Sequence, residues 1–356
     1  MRNSAWLFIC ALVFIYSACA DENYMDQKLA DEAMSALVEE ERVPGLAISV
    51  WQKGEIVWSK GYGFADLEQQ VPVDPLQTRF RIGSISKPIA AAALAKVYER
   101  GQIDLDASIY TYLPQFPKKA YDFSTRQLAG HIAGVRHYKG TEFLSDDKYE
   151  TVWEGLAIFK DDSLLFEPGT QYNYSTYGWN LLSAVTEIAS GKEFLNLVQT
   201  EVFNPLGLEK THADWNHEII PWRTRFYELT PTEVQHAPHV DNSIKWAGGG
   251  FLSTTDDLIK FGEAFMKPGY LKKETLDIWL TSQKLNDGTE TGYGIGWRVG
   301  TLAGKYKWFG HSGGSIGGTS WLIVFPEEEV IVAVLSNIGG LSYGQVPFQV
   351  GQFFIE

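Results

Sequence analysis

Ser84 and Lys87 stand three residues apart in Phe80-Arg81-Ile82-Gly83-Ser84-Ile85-Ser86-Lys87, just ahead of an Ala-rich stretch. On a helix that spacing puts a hydroxyl and an amine on one face. A hydroxyl is a poor nucleophile until a neighbour takes its proton. A lysine can take it when burial and the positive end of a helix destabilise its ammonium. The chemistry this pair can do is acyl transfer to Ser84 with Lys87 as activating base. The same spacing recurs at Ser145-Asp146-Asp147-Lys148, but among charges and with no long helix behind it, which reads as a solvated turn. Pro88 cannot donate a backbone hydrogen bond, so the first turn at the favoured site must be tight or slightly irregular.

Two further groups fit the same chemistry. Tyr172-Asn173-Tyr174-Ser175-Thr176 opens a helical pattern, and a tyrosine at a helix start beside Ser84 can move protons. His311-Ser312-Gly313-Gly314 lies in a strand-like run, where glycines let substrate approach the backbone and offer an N–H to a developing oxyanion. Competing motifs are weaker. Gly313-Gly314-Ser315-Ile316-Gly317 has the form of a nucleophile elbow, but a strand pattern follows where a helix is needed, and no His occurs after His311. His236 and His239 flank Pro238, which breaks any helix, and no Cys or tight carboxylate cluster joins them as metal ligands. No Walker-type phosphate loop is present. The reading is therefore of chemistry without metal or cofactor.

Ser84-Ile85-Ser86-Lys87, then Tyr174-Ser175-Thr176, then His311-Ser312-Gly313-Gly314 come in the order and rough spacing of the penicillin-recognising serine enzymes, and the chain resembles that superfamily of class C beta-lactamases, D,D-peptidases and related esterases over roughly residues 25 to 340. The run from Pro238 to Thr254, with Arg136-His137-Tyr138, is most similar to the beta-lactamase-like serine proteases of animal mitochondria. The resemblance implies Ser84 as nucleophile, Lys87 as its activating partner and Tyr174 as the proton shuttle. It further implies an oxyanion hole from the N–H groups of Ser84 and Gly314, and substrate contacts from Thr176, His311, Ser312 and Gly313. Thr176 stands where Asn is usual, and His311 where the Lys of Lys-Thr-Gly is usual. An imidazole of ordinary pKa near 6.5 is mostly uncharged at neutral pH. Anionic beta-lactams are then expected to bind weakly, and to be turned over better, relative to a neutral ester, as the pH falls toward 6.

The elements that must position these groups follow from periodicity. Residues 26–41 read as an amphipathic helix. Leu46–Trp51 and Ile56–Tyr62 read as a hairpin across Gln52-Lys53-Gly54-Glu55, and Arg79–Ile82 as a strand leading into Ser84. Ile89–Tyr98 and Leu181–Ala189 read as helices, and so does Thr255–Met266, with capping residues ahead of it. Strand-like runs at Ile295–Thr301, Tyr306–Phe309, Ser320–Phe325 and Val330–Ser336 are close enough to pair antiparallel. Val346–Ile355 reads as a helix packing back on them. The expected fold is α+β, of the beta-lactamase/transpeptidase-like type that the resemblance implies. Strands from both ends share an antiparallel sheet flanked by helices, and an all-helical subdomain is inserted at about 103–240.

The 356 residues, 45% hydrophobic, suffice for a large core. Residues 1–20 differ in kind. Arg2 is their only charge, an apolar run from Trp6 to Tyr16 follows, and small residues end the segment. That pattern is a secretory signal peptide, the run being about half the roughly twenty residues a membrane span needs. Two cleavages fit. One frees a mature chain at Asp21; the other, in Tyr16-Ser17-Ala18-Cys19, lipidates Cys19 and tethers the protein. Both cysteines, Cys10 and Cys19, lie in this segment, so a chain starting at Asp21 has no disulfide. The location expected is the bacterial periplasm, or a membrane through Cys19. A net charge of −14 argues against nucleic acid and anionic lipid as partners. The substrates expected are peptides, amides or esters. The open readings are an envelope peptidase or amide hydrolase, a carboxylesterase or weak beta-lactamase, and an inactive binding protein. Composition and motif fix no oligomeric state.

Overall fold

Alternation decides the architecture. In Gly45–Gln52, Leu46, Ile48 and Val50 belong to one hydrophobic cluster, while Ala47 and Trp51 belong to another. Val330–Ser336 divides the same way: Val330, Val332 and Val334 join the first cluster, Ile331, Ala333 and Leu335 the second. Successive strand residues face opposite sides. Both faces are covered, so these strands are continuously apolar rather than alternating with polar residues.

The two strands pair antiparallel, Leu46 opposite Ser336 through Gln52 opposite Val330, at the centre of a seven-stranded sheet. Its order is Val71–Pro72, Glu55–Asp66, Gly45–Gln52, Val330–Ser336, Gly318–Phe325, Tyr306–Ser315, Arg298–Leu302. Strands from both ends of the chain thus close one sheet, every neighbouring pair antiparallel. The computed structural model describes residues 24–355. Residues 1–20, the expected leader with Cys10 and Cys19, lie outside them.

One face of the sheet is covered by the helix over 24–40, through Ala30, Met34 and Leu37, and by Val346–Phe353, through Phe348 and Val350. The other face carries the larger core. Thr255–Met266 packs there, its Thr254 Oγ1 accepting from the Asp257 N–H as an N-cap. So does the helix Ser86–Glu99, in which Ala91 to Ala95 are wholly buried. Among the described residues no helix is long and apolar enough to cross a membrane.

Between 103 and 240 the chain is not all helical as expected: short helices are joined by long loops, with three short strands. The longest helix is Thr176–Ser190, stopped by left-handed Gly191. His212–Ala213 pairs with Phe251–Ser253, which also holds Phe80–Arg81 beside the nucleophile turn. Tyr227–Leu229 and Val234–His236 form a hairpin, and Ile338–Gly339 adds to it in parallel. Strands of two or three residues are too short for a period of two to register in sequence.

Candidate active site

Ser84 lies in a 3-10 turn, Gly83–Ile85, and the α-helix starts at Ser86. Pro88 therefore falls in the first helical turn, where an N–H has no intrahelical acceptor, and the irregularity it demands is that turn. Gly83 holds φ +50°, and a Cβ there would meet the O, N and C of Gly314 at 2.6, 2.7 and 2.8 Å. The nucleophile turn is thus pressed against the strand Tyr306–Ser315. Only glycine permits both the conformation and the approach.

Lys87 is wholly buried, with Nζ 3.0 Å from Ser84 Oγ, 3.2 Å from Thr176 Oγ1 and 2.6 Å from the Gly248 carbonyl. Burial first, then the charges of Lys245 and Arg298, hold its pKa well below the ordinary ammonium value. A neutral amine has two N–H groups and one lone pair. The hydrogens serve Gly248 and Thr176, which leaves the lone pair for the Ser84 hydroxyl. Thr176 therefore acts on Lys87, and Tyr138 lines the same wall. Gly248 is glycine for this contact too: a Cβ there would sit 2.4 Å from Thr176 Cγ2.

Tyr174 shares the cavity wall with Ser84, and Lys87 Nζ lies 4.8 Å from its ring centroid. Burial raises its phenol, opposed by Ser84 and Arg298, so the phenol keeps its proton. The helix behind it is fixed by Ser175, whose Oγ accepts from the Gly178 N–H at 2.9 Å and donates to the Arg136 carbonyl at 2.6 Å. Arg136 in turn grips Glu142 through two nitrogens, at 2.7 and 2.9 Å.

These groups open on a cavity of 330 Å³ lined by Ser84, His137, Tyr138, Phe143, Tyr174, Thr176, Lys245, Gly248, Gly249, Gly314, Ser315, Ile316 and Gly340. A larger groove of 770 Å³, lined by Asp106, Arg126 and Asp277 among others, holds none of them. Gly314 is exposed in the cavity wall, and nothing stands within 4 Å of where its Cβ would be. The structure thus brings together Ser84, Lys87, Tyr174, Thr176 and Gly314.

His311, Ser312 and Gly313 are outside the wall, and the expectation for His311 is corrected. Its side chain is 1% exposed; Nδ1 lies 2.6 Å from the Ser312 carbonyl, to which it donates, and Nε2 accepts from the Tyr293 hydroxyl at 2.9 Å. Burial, then Lys87 and Arg298, keep its pKa well below the usual imidazole value. That favours the neutral ring, with both nitrogens engaged and neither facing the cavity.

Of the other competing residues, Ser145 and His236 are separated from the chemistry, and Ser315 lines the cavity but has no helix behind it. Ser145 Oγ turns to Asp147 at 3.4 Å, and Lys148 pairs with Glu150 at 2.7 Å. Ser315 ends one strand of a hairpin whose return strand is Gly318–Phe325. His236 is exposed and bonds Glu68. Three polar wall residues lie in runs that carry the family resemblance but were given no role from sequence. His137 Nδ1 accepts from the Thr176 N–H at 3.2 Å, its pKa pushed down to about 4 by burial, then by Lys87 and Lys245. Tyr138 is the second. The third, Lys245, had one signal: a lone charge between Ile244 and Trp246 at the start of a glycine run.

Comparison with known proteins gives the family and the fold. The family described as Beta-lactamase matches residues 30–347. The chain is 32% identical to the mouse (Mus musculus) protein described as serine beta-lactamase-like protein LACTB, mitochondrial, over 83% of this chain and 72% of that one. It is 29% identical to a D-aminopeptidase of Gluconobacter oxydans, over 86% and 58%. Among solved structures, a D-stereospecific amidohydrolase from Streptomyces superposes with a TM-score of 0.78 at 23% identity, over 91% of this chain and 98% of that one.

Proposed function

We propose, from the premise that this chain belongs to the beta-lactamase family and is a serine hydrolase, that its substrates are amides, cleaved through an acyl-enzyme on Ser84. The observation that carries this is a Tyr174 phenol kept protonated by burial, sharing the cavity wall with Ser84, whose Oγ lies 3.0 Å from the buried Lys87 Nζ. An amide nitrogen leaves only when protonated, whereas a phenolate or activated alkoxide leaves as an anion. A site with both a base for the nucleophile and an acid for the leaving group has the equipment amides require. The names of two similar proteins, a D-aminopeptidase and an amidohydrolase, support the same reading.

In this reading Ser84 Oγ attacks the carbonyl carbon and its proton passes to Lys87 Nζ. The oxyanion is met by the N–H groups of Ser84 and Gly314, and Tyr174 donates its proton to the departing nitrogen. Lys87 restores that proton. Water then repeats the sequence on the ester. We also propose export, supported by the pattern of residues 1–20, to an envelope location where peptides are at hand; the mass of the mature N-terminus tests it, and an uncleaved cytoplasmic chain overturns it.

The test of the activity is a substrate panel on purified protein: peptide p-nitroanilides, p-nitrophenyl esters and nitrocefin, with fluorophosphonate labelling mapped by mass. Label on Ser84 and turnover of anilides is expected. Label on Ser84 with turnover confined to esters replaces the amide reading by a carboxylesterase, and label elsewhere removes Ser84.

A further inference from the structure

Lys245 ends the 3-10 turn Asn242–Lys245 and is set in place from both sides. Asp241 Oδ1 accepts from the Ser243 N–H at 2.8 Å, Ser243 Oγ accepts from the Tyr149 N–H at 2.8 Å, and Asn242 Nδ2 donates to Asp214 at 2.7 Å. The residue is 6% exposed, its stem lies against Gly249, and it shares the cavity wall with Ser84.

Among the described residues Lys245 Nζ makes no hydrogen bond and no ion pair; the face of Tyr138 lies 5.7 Å from it. The carboxylate behind it, Asp214, is wholly buried and already committed. It accepts from Arg81 at 2.7 Å, from Arg223 at 3.2 Å and from Asn242 at 2.7 Å. The cavity wall holds no Asp or Glu. A buried ammonium is costly unless paired. A rigid turn that carries one into a substrate cavity, without an internal partner, keeps its bonding capacity for a ligand.

We infer that Lys245 binds a carboxylate of the substrate, and that the preferred substrates are amides with a free carboxylate near the scissile bond. This rests on the amide-hydrolase reading above. It moves anion recognition away from position 311, where the imidazole is buried and bonded to Tyr293. The protonation needed is present at neutral pH. Burial, then Arg81, bring the Lys245 pKa down to about 8 against the pull of Asp214, which leaves the ammonium form in excess at pH 7. The other groups facing it are Lys87, His137 and Tyr138, none of them anionic at that pH.

The experiment compares kcat/KM within matched pairs. One pair carries the carboxylate on the leaving side, an acetyl-dipeptide against its C-terminal amide. The other carries it on the acyl side, succinyl-p-nitroanilide against its methyl ester. The wild type is expected to prefer the carboxylate member of one pair by about tenfold to a hundredfold, the range of a charge-assisted hydrogen bond. Lys245→Met should bring that ratio to about one, and Lys245→Arg should keep most of it. A wild type with no preference in either pair overturns the inference, whether or not the variants fold. So does a Lys245→Met that loses both members equally, which would make Lys245 only a modulator of Lys87. A second readout does not need amide turnover: N-acetyl amino acids should slow fluorophosphonate labelling of Ser84 in the wild type more than their amides do, and Lys245→Met should erase the difference. If no anilide or peptide is cleaved yet this protection holds, the amide reading fails and the carboxylate site stands. Equal protection by acid and amide removes the site.

Discussion

Gly83→Ala isolates how the nucleophile is positioned. The new Cβ would stand 2.6 to 2.8 Å from the Gly314 backbone, whereas ordinary contact begins at 3.4 Å. The turn and the strand must therefore part by 0.6 to 0.8 Å, the difference between those distances. Alanine at φ +50° adds a conformational cost of about 1 kcal/mol. Overpacking against backbone adds about 1–3 kcal/mol. Together they lower the melting temperature by roughly 3–6 °C in a chain of this size. The separation falls between the two N–H groups that would share the oxyanion, and a displacement approaching 1 Å at a reacting centre costs about a hundredfold in rate. The assay is the second-order rate of fluorophosphonate labelling well below the melting point, paired with the melt itself. Gly314→Ala is the control for stability, since nothing occupies the space its Cβ would enter, and its melting point should stay near wild type. A Gly83→Ala protein that labels Ser84 within twofold of the wild-type rate would refute the view that this contact sets the site.

Three further outcomes follow from single contacts. Tyr174→Phe should lower anilide turnover by about two to four orders of magnitude and p-nitrophenyl ester turnover far less; equal losses would separate the phenol from leaving-group protonation. His131 and His311 are buried with pKa values held well below 6.5 by burial and then Lys87, so the unfolded chain binds protons that the folded one refuses. Stability is then lost as the pH falls below about 6.5, by about 1.4 kcal/mol per pH unit for each imidazole, and denaturant titrations of His311→Gln between pH 6 and 5 should show a slope smaller by that amount. An unchanged slope would contradict the burial of a neutral ring; the same neutrality keeps the nitrocefin-to-ester ratio flat from pH 7.5 to 6. Asp214→Ala strands Arg81, itself 4% exposed, and should cost about 3–5 kcal/mol in urea unfolding; a loss under about 1 kcal/mol would mean that Arg81 finds another partner.

The fold was legible where an element is long and its pattern regular. Thr255–Met266 and Val330–Ser336 have the bounds their sequences suggest, the first because Thr254 caps it and the second because seven apolar and small residues can be buried on both faces. The pairing of the two chain ends followed from the strand pattern alone. Ser84 and Lys87 were legible because their contact is local, one turn of chain. What lay hidden depends on contacts between distant segments. Lys245 meets the cavity from 161 residues beyond Ser84, and Thr176 reaches Lys87 across 89. His311 was misjudged for the same reason. Its type and strand position were visible, but its engagement by Tyr293, on a separate loop, was not.

The distribution of charge links these features causally. The chain carries −14 overall, yet the cavity wall has no carboxylate, and the two cations that face Lys87 are Lys245 and Arg298, with no ion pair for either among the described residues. A carboxylate at bonding distance from Lys87 would favour the ammonium and silence the base, as it does for any buried lysine. Excluding anions from the wall keeps Lys87 an amine, and the same exclusion leaves Lys245 without an internal partner. The base and the proposed carboxylate site are thus two consequences of one arrangement. The acidic exterior does not cancel it, because exposed charges are screened beyond about 8 Å at physiological salt, while those in the cavity act on a bound substrate through protein. A substrate carboxylate that pairs with Lys245 would also partly neutralise the charge that depresses Lys87. Tight anion binding and an active base therefore pull against each other, and selection on this site has to balance the two.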